Sequence, residues 1–321
     1  MVHVGGVLDK TALQKSTEGF GVFGNYKKAD DQEFGANLFN NQQVKYSSTD
    51  KKWAYENTKY WPTEGHIDFL AYAPYVGTPN FNGSSIDFTV ENNVADQKDL
   101  LYAKTPGQTM ANNSGTNKVT FKFDHALSRL GYSVKLNGTC SSDATITLKK
   151  ITLAGSAPEP TTGSTTEPTG AFHKAGTINL STGNWTPTSD KQYFNWYSAP
   201  TSETSGSQSI TFTSSTYNTK YTNKGDEYLF VIPQDFSKTE VGADELYVIV
   251  EYTMQYTGVT DPGTNKPAII TNKVYKKLSH NFEQGKAYTI KLTIGRPIDF
   301  DVDAEITPWV DDTTIPEIPM D

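Results

Sequence analysis

Residues 298–309 read IDFDVDAEITPW, with a carboxylate at every second position: Asp299, Asp301, Asp303 and Glu305. The three aspartates match the opening D-x-D-x-D of a calcium loop, but the match goes no further. Position six, a glycine in such loops, is Ala304, and position twelve, a bidentate glutamate, is Val310. Between the acids stand Ile298, Phe300, Val302, Ala304 and Ile306, a strict period of two. A strand explains both rows at once, because successive side chains point to opposite faces. Carboxylates on one face lie roughly 7 Å apart, and in water each adjacent pair repels by only about 0.6 kcal/mol. The stretch is expected to be a strand with a wet acidic face, calcium on that face being the lesser reading.

The same alternation recurs along the chain. GFGVFGNYK (19–27), IDFLAYAPY (67–75), GYSVKL (131–136), ATITLKKITLAG (144–155), ELYVIVEYTM (245–254), IITNKVYKKL (269–278) and AYTIKLTIG (287–295) all read as strands. The composition agrees: 18 Tyr and 16 Phe suit strands, and 25 Gly with 16 Pro supply turns. Many short strands without helical periodicity between them predict an all-β chain of antiparallel sandwiches. At 321 residues the chain exceeds one comfortable core, so two domains in tandem are expected. The polar KTPGQTMANNSGTNK (104–118) reads as the linker, giving an N-terminal domain over 1–112 and a C-terminal domain over 118–321. GSAPEPTTGSTTEPTG (155–170) is the rival boundary. It is read instead as part of a long flexible loop near 155–172, because the earlier break leaves a first unit close to the roughly 100 residues of an immunoglobulin-sized sandwich.

Chemistry is sparse. The five histidines, His3, His66, His125, His173 and His280, are widely separated, with no H-x-H or H-E-x-x-H spacing. There is no G-x-S-x-G elbow. GKAY (285–288) has Ala287 where a phosphate loop needs Ser or Thr. The single Cys140 sits in NGTCSSD with no base nearby. Thirty-six acidic residues offer many pairings for a glycosidase, but the sequence fixes no pair's separation, and a hydrolase ranks below the other readings. No catalytic residue, metal site or cofactor is assigned. Nucleic acid is an unsuitable partner, since 28 basic residues face 36 acidic ones and only Arg129 and Arg296 are arginines. No stretch approaches the roughly 18 apolar residues of a membrane span. MVHVGGVLDK lacks the pattern of a signal peptide, and Met1 before it also fits an expression start placed after a removed targeting segment.

Two aromatic clusters suggest binding. WAYENTKYWP (53–62) and YFNWYSAP (193–200) carry planar side chains able to stack on sugar rings. The second follows the polar loop and is the better candidate for exposure, with Tyr193, Trp196 and Tyr197 as candidate glycan contacts. Most aromatics of a sandwich belong to its core, which is the competing reading.

FKFDHALSRLGYSVKL (121–136) resembles the F-x-HAL-x-x-L-x-x-x-V signature of the fimbrillin-like families of anaerobic gut and oral bacteria. Phe123, His125, Ala126, Leu127 and Leu130 fall on it as structural residues, in a strand that enters a short helical turn and leaves as a strand. WAYENTKYWPTEGHIDFLAYAPY, YLFVIPQDF, GKAYTIKLTI and ITPW resemble further blocks of that family in the same order. The resemblance implies two transthyretin-like sandwich domains and a non-enzymatic pilus subunit or related adhesin, exported as a lipoprotein to the outer-membrane surface. It implies other pilus subunits as partners, joined by a strand inserted into a groove, with host or bacterial surface glycans or proteins as further targets. Family members lose an N-terminal segment to a protease that cuts after Arg; here no Arg precedes residue 129. MVHVGGVLDKTALQK is the candidate removable strand, with Val2, Val4, Leu8 and Leu13 as groove residues. A frayed N-terminus is the competing reading.

Overall fold

The computed structural model describes residues 7–29, 33–114, 118–136, 144–156, 167–200, 211–212, 228–294, 300–307 and 318–319. The chain is all-β, and its described residues include one short helix, Lys10–Lys15, and one 3-10 turn, Val94–Asp96. Six antiparallel strands form the first sheet, in the order Lys52–Tyr55, Phe39–Ser47, Phe20–Lys27, His66–Ala73, Leu101–Gln108, Asp124–His125. Its middle strand is covered on both sides. Phe20 and Val22 join a cluster with Trp53, Phe69, Phe121 and Phe123, whereas Phe23 joins a second cluster with Leu70 and Tyr72. This is the alternation of GFGVFGNYK put to use, since neighbours along a strand face opposite layers. Gly21 and Gly24 leave room for the rings beside them. A Cβ would lie 2.4 Å from the Tyr72 ring at Gly21 and 2.6 Å from the Phe39 ring at Gly24.

The second cluster fills a sandwich of two sheets. One orders Leu229–Val231, Ser128–Leu136, Ala287–Ile294 and Phe300–Thr307; the other orders Phe194–Ser198, Ala144–Ala154, Tyr247–Thr260 and Pro267–Lys277. Tyr132, Val134, Leu148, Val250 and Tyr252 pack in it. A smaller sheet ties the two parts of the chain together, because Ser85–Thr89 pairs with Ala175–Asn179. Among the described residues pairing is antiparallel with one exception: Ser128–Leu136 runs parallel to Ala287–Ile294, from Arg129 opposite Ala287 to Leu136 opposite Ile294. The acidic stretch is a strand as its period requires. Phe300–Thr307 pairs residue by residue with Ala287–Ile294 and forms an edge of its sheet; Asp299 lies outside the described residues.

Four local expectations need correction. The first part of the polar stretch 104–118 is strand, since Leu101–Gln108 continues through it and pairs Phe69 with Thr105 and Ile67 with Gln108. The helical turn expected in HALSRL is absent: Ala126 and Leu127 lead straight from Asp124–His125 into the strand Ser128–Leu136. Leu13 lies in a helix rather than an extended segment. Asp9 caps that helix by accepting from the Ala12 N–H at 2.6 Å, and Leu13 is fully buried on it. Val119, Phe121 and Phe123, read with the second unit, pack in the first cluster. Of the loop near 155–172, residues 157–166 lie outside the described part; at its base the Gly155 N–H donates to the Thr169 carbonyl at 2.9 Å.

Candidate functional site

Asp99 lies between the 3-10 turn and the strand Leu101–Gln108, and it is wholly buried. An isolated buried carboxylate is costly, so its partners decide whether the chain tolerates it. Two are in place. His125 Nδ1 lies 2.8 Å from Asp99 Oδ2, with the imidazole itself only 5% exposed. The Leu8 N–H donates to the same oxygen at 3.1 Å. His125 stands opposite Leu101 in the sheet pairing, which brings its ring to the carboxylate two residues upstream.

The N-terminal segment is thereby held by polar and apolar contacts together. Val7 packs on the second cluster, while Leu8 packs on the first and Leu13 is a member of it. The segment thus bridges the two cores at the point where the signature residues do the same. Phe123 belongs to the first cluster and Ala126, Leu127 and Leu130 to the second, with His125 between them in the chain. Trp185 fastens this crossing by donating its Nε1–H to the Ala126 carbonyl at 2.8 Å. Val2 and Val4 lie outside the described residues. Ile318–Pro319 pairs antiparallel with Lys118–Val119, and Val119 belongs to the first cluster together with Leu13.

The aromatics of 193–200 do not form one surface. Trp196 is 5% exposed and packs edge-on against Tyr132, with ring centroids 5.0 Å apart. A buried indole offers no face to a sugar. Tyr197 is half-buried against the same core, and Tyr193 is half-buried too, its hydroxyl donating to Glu167. Burial raises the Tyr72 hydroxyl to about 12, beyond what its bonds to Val76 and Asn41 offset. Burial also raises Asp68, but the Gly107 N–H at 2.8 Å and the Lys27 ammonium at 3.1 Å outweigh it and hold this carboxyl below its ordinary value. Both groups lock strands together. Among the described residues no three His, Cys, Asp or Glu side chains converge as metal ligands, and no helix is long and apolar enough to cross a membrane.

Asp99 is the residue that sequence reasoning missed. The signal was available in KDLLYA, where an acid directly precedes an apolar strand, but nothing local identifies His125 as its partner.

A family model described as fimbrillin-like matches residues 9–309. Among solved structures, a fimbrial protein from Bacteroides vulgatus is 25% identical, with 94% of this chain and 96% of that chain covered at a TM-score of 0.72. A candidate cell adhesion protein from Bacteroides uniformis is 18% identical over 91% of each chain, with a TM-score of 0.49. The fimbrial anchor protein Mfa2 from Porphyromonas gingivalis is 13% identical over 91% of this chain and 89% of its own, with a TM-score of 0.32. No curated protein matches the chain.

Proposed function

This chain belongs to the fimbrillin-like family, and from that premise we propose that it is a structural subunit of a surface fimbrium, or a closely related adhesin, that joins other subunits by strand insertion. The observation that carries the reading is its likeness, over nearly the whole of both chains, to a fimbrial protein in fold and in sequence. Such a role asks for a stiff body with an exchangeable terminal segment, not for a reactive cleft. In strand insertion an extended segment supplies main-chain hydrogen bonds to an open sheet edge, and alternate side chains fill pockets. The segment 7–13 is not itself a strand, since Lys10–Lys15 is helical, but few polar contacts hold it and its apolar side chains enter both cores, which suits a segment that yields its sites to an incoming strand. We assign Leu8 and Leu13 as groove residues, with Val2 and Val4 continuing the segment. The pairing of Ile318–Pro319 with Lys118–Val119 is further support, since an added strand there finds a backbone partner on an element whose Val119 shares the first cluster with Leu13.

The test is removal of residues 1–15, followed by size exclusion with light scattering and far-ultraviolet circular dichroism. A folded product that forms a ladder of oligomers is the expected result. A folded product that stays monomeric counts against strand insertion. The glycan reading built on Trp196 is not carried forward, since that side chain is core.

A further inference from the structure

The hairpin made by Tyr247–Thr260 and Pro267–Lys277 begins in the sandwich and continues past its last buried residue, Met254. Residues 257–267 are exposed at every position, and no residue of Pro267–Lys277 is buried. That second strand ends its sheet, so among the described residues its outer backbone edge has no strand partner. It carries Ile269 at 61% exposure, Ile270 at 47% and Tyr275 at 45%. A long exposed edge with apolar side chains is a template for another strand.

The residues along this edge say which strand. Around Asn272 the order is Ala268, Ile269, Ile270, Thr271, then Lys273, Val274, Tyr275, Lys276, and the apolar pairs stand symmetrically about the asparagine. We propose that this edge pairs antiparallel with the same edge of a second copy of the chain, about a two-fold axis at Asn272 and normal to the sheet. In that register Ile270 opposes Val274 of the second copy, Ile269 opposes Tyr275, and Thr271 opposes Lys273. Each such pair occurs twice, as a self-complementary interface requires. Cross-strand apolar pairs are what stabilise a sheet. Shifting the axis one residue toward the C-terminus sets Lys273 against its own copy; shifting it the other way sets Ile269 against Lys273. Charge therefore selects the same register as the apolar pattern. The two Lys273 side chains, diagonal neighbours in this register, each already have a counter-ion, Glu251 Oε1 at 3.3 Å on the adjacent strand. The paired sheets become one continuous sheet across the axis. This contact stands apart from the strand insertion proposed above, which uses the N-terminal segment.

The full chain in sedimentation equilibrium is expected to show a monomer–dimer equilibrium. Ile270→Lys is half-exposed and should fold as the parent does, while its association weakens about tenfold or more, equivalent to about 1.4 kcal/mol. A geometric readout accompanies it. In a Cys140→Ser background, Asn272→Cys places two thiols opposite each other at the roughly 4.5–5.5 Å Cα separation of facing antiparallel residues, within disulfide reach. Mild oxidation should give a covalent dimer, whereas Thr264→Cys at the exposed hairpin tip should stay largely monomeric. A chain that is monomeric up to its solubility limit, a dimer indifferent to Ile270→Lys, or equal cross-linking of both cysteine variants would overturn the proposal.

Discussion

Replacing His125 with alanine isolates the physics of the buried node. Asp99 is wholly buried, its Oδ2 accepts from His125 at 2.8 Å and from the Leu8 N–H at 3.1 Å, and its Oδ1 has no hydrogen-bond partner among the described residues. His125→Ala removes one of two partners and leaves the carboxylate in place. Removing one member of a buried pair costs about 3–5 kcal/mol, because the survivor stays desolvated without compensation. Replacing both members with apolar groups of similar size is far milder and can be close to neutral. The His125→Leu/Asp99→Leu double variant should therefore be more stable than His125→Ala, although it changes more atoms. Urea unfolding followed by tryptophan fluorescence gives the ranking. Amide hydrogen exchange gives the local consequence: Asp99→Leu removes the acceptor of the Leu8 amide, so exchange at Leu8 should accelerate while the strand Phe20–Lys27 keeps its protection. A His125→Ala cost below about 1 kcal/mol, well under the range expected for a broken buried pair, would refute the reasoning. So would unchanged Leu8 protection in Asp99→Leu.

Leu13→Ala removes the fully buried anchor of the segment 7–13; its cost is capped by the small net free energy that docks the segment, so thermal melting should show a loss of about 1 kcal/mol or less while amide exchange across the segment accelerates, and a loss of about 2–5 kcal/mol, the usual cost of emptying a core site, would mean that the segment is docked firmly. Tyr72 has a folded-state value of about 12 against an ordinary 10.0. A raised value means that the folded state holds the proton more tightly, so this stability is complete below pH 10 and is lost as pH rises toward 12. Tyr72→Phe should flatten that alkaline decline, and denaturant titrations between pH 8 and 12 would expose a parallel decline if another group is responsible. Asp68 has the opposite sign: its lowered value gives stability present above about pH 4, the ordinary carboxylate range, and lost as pH falls through the depressed value. Asp68→Asn should make the acid side of the melting profile shallower, and an unchanged slope would remove Asp68 from the account. Trp196→Ala should destabilise by about 3–5 kcal/mol as a core truncation; a fully stable variant that had lost sugar binding would restore the glycan reading.

How much was legible depends on whether the signal is local. The alternation of FDVDAEIT and AYTIKLTI needs only neighbouring residues, and these two strands pair with each other along their whole length. FNWYS held its answer too. Phe194 and Trp196 share one face and are buried while Asn195 is exposed, so the period of two already pointed Trp196 inward. Partners far apart in the chain leave no such trace. Ser128–Leu136 and Ala287–Ile294 run parallel across 150 residues of intervening chain, and an apolar alternation is silent on direction. Leu101–Gln108 was misread in its second half because Thr105, Pro106 and Gly107 look like a turn. Pairing with His66–Ala73 needs backbone groups more than side chains, and tertiary context overrode the local composition. The Asp99–His125 pair combines both limits: each residue is visible, but their meeting depends on a sheet edge that forms only after folding.

The N-terminal segment shows why a bridging element can still be exchangeable. Burying Leu13 contributes about 1.5–3 kcal/mol and the half-buried Val7 and Leu8 together about 1–2 kcal/mol. The Leu8 N–H on a carboxylate adds about 1.5–3 kcal/mol, and the Asp9 cap about 1 kcal/mol. Against this, ordering seven residues costs about 7–14 kcal/mol of backbone entropy. The favourable contributions sum to about 5–9 kcal/mol, the same order as the ordering cost, so the segment rests on the cores without a large net free energy. A longer strand already ordered in a neighbouring subunit would meet the same acceptor and the same two apolar sites without that ordering cost. Under the proposed strand insertion, exchange then runs downhill for the incoming strand while the rest of the fold, which shares none of these contacts beyond Asp99 and the cluster surfaces, stays as it is. Strengthening the resident segment should slow assembly. Val7→Ile and Leu8→Ile, which keep the apolar fit, and a helix-favouring Thr11→Ala are the variants in which slower oligomer growth with an unchanged end state would follow from this balance, whereas faster growth would contradict it.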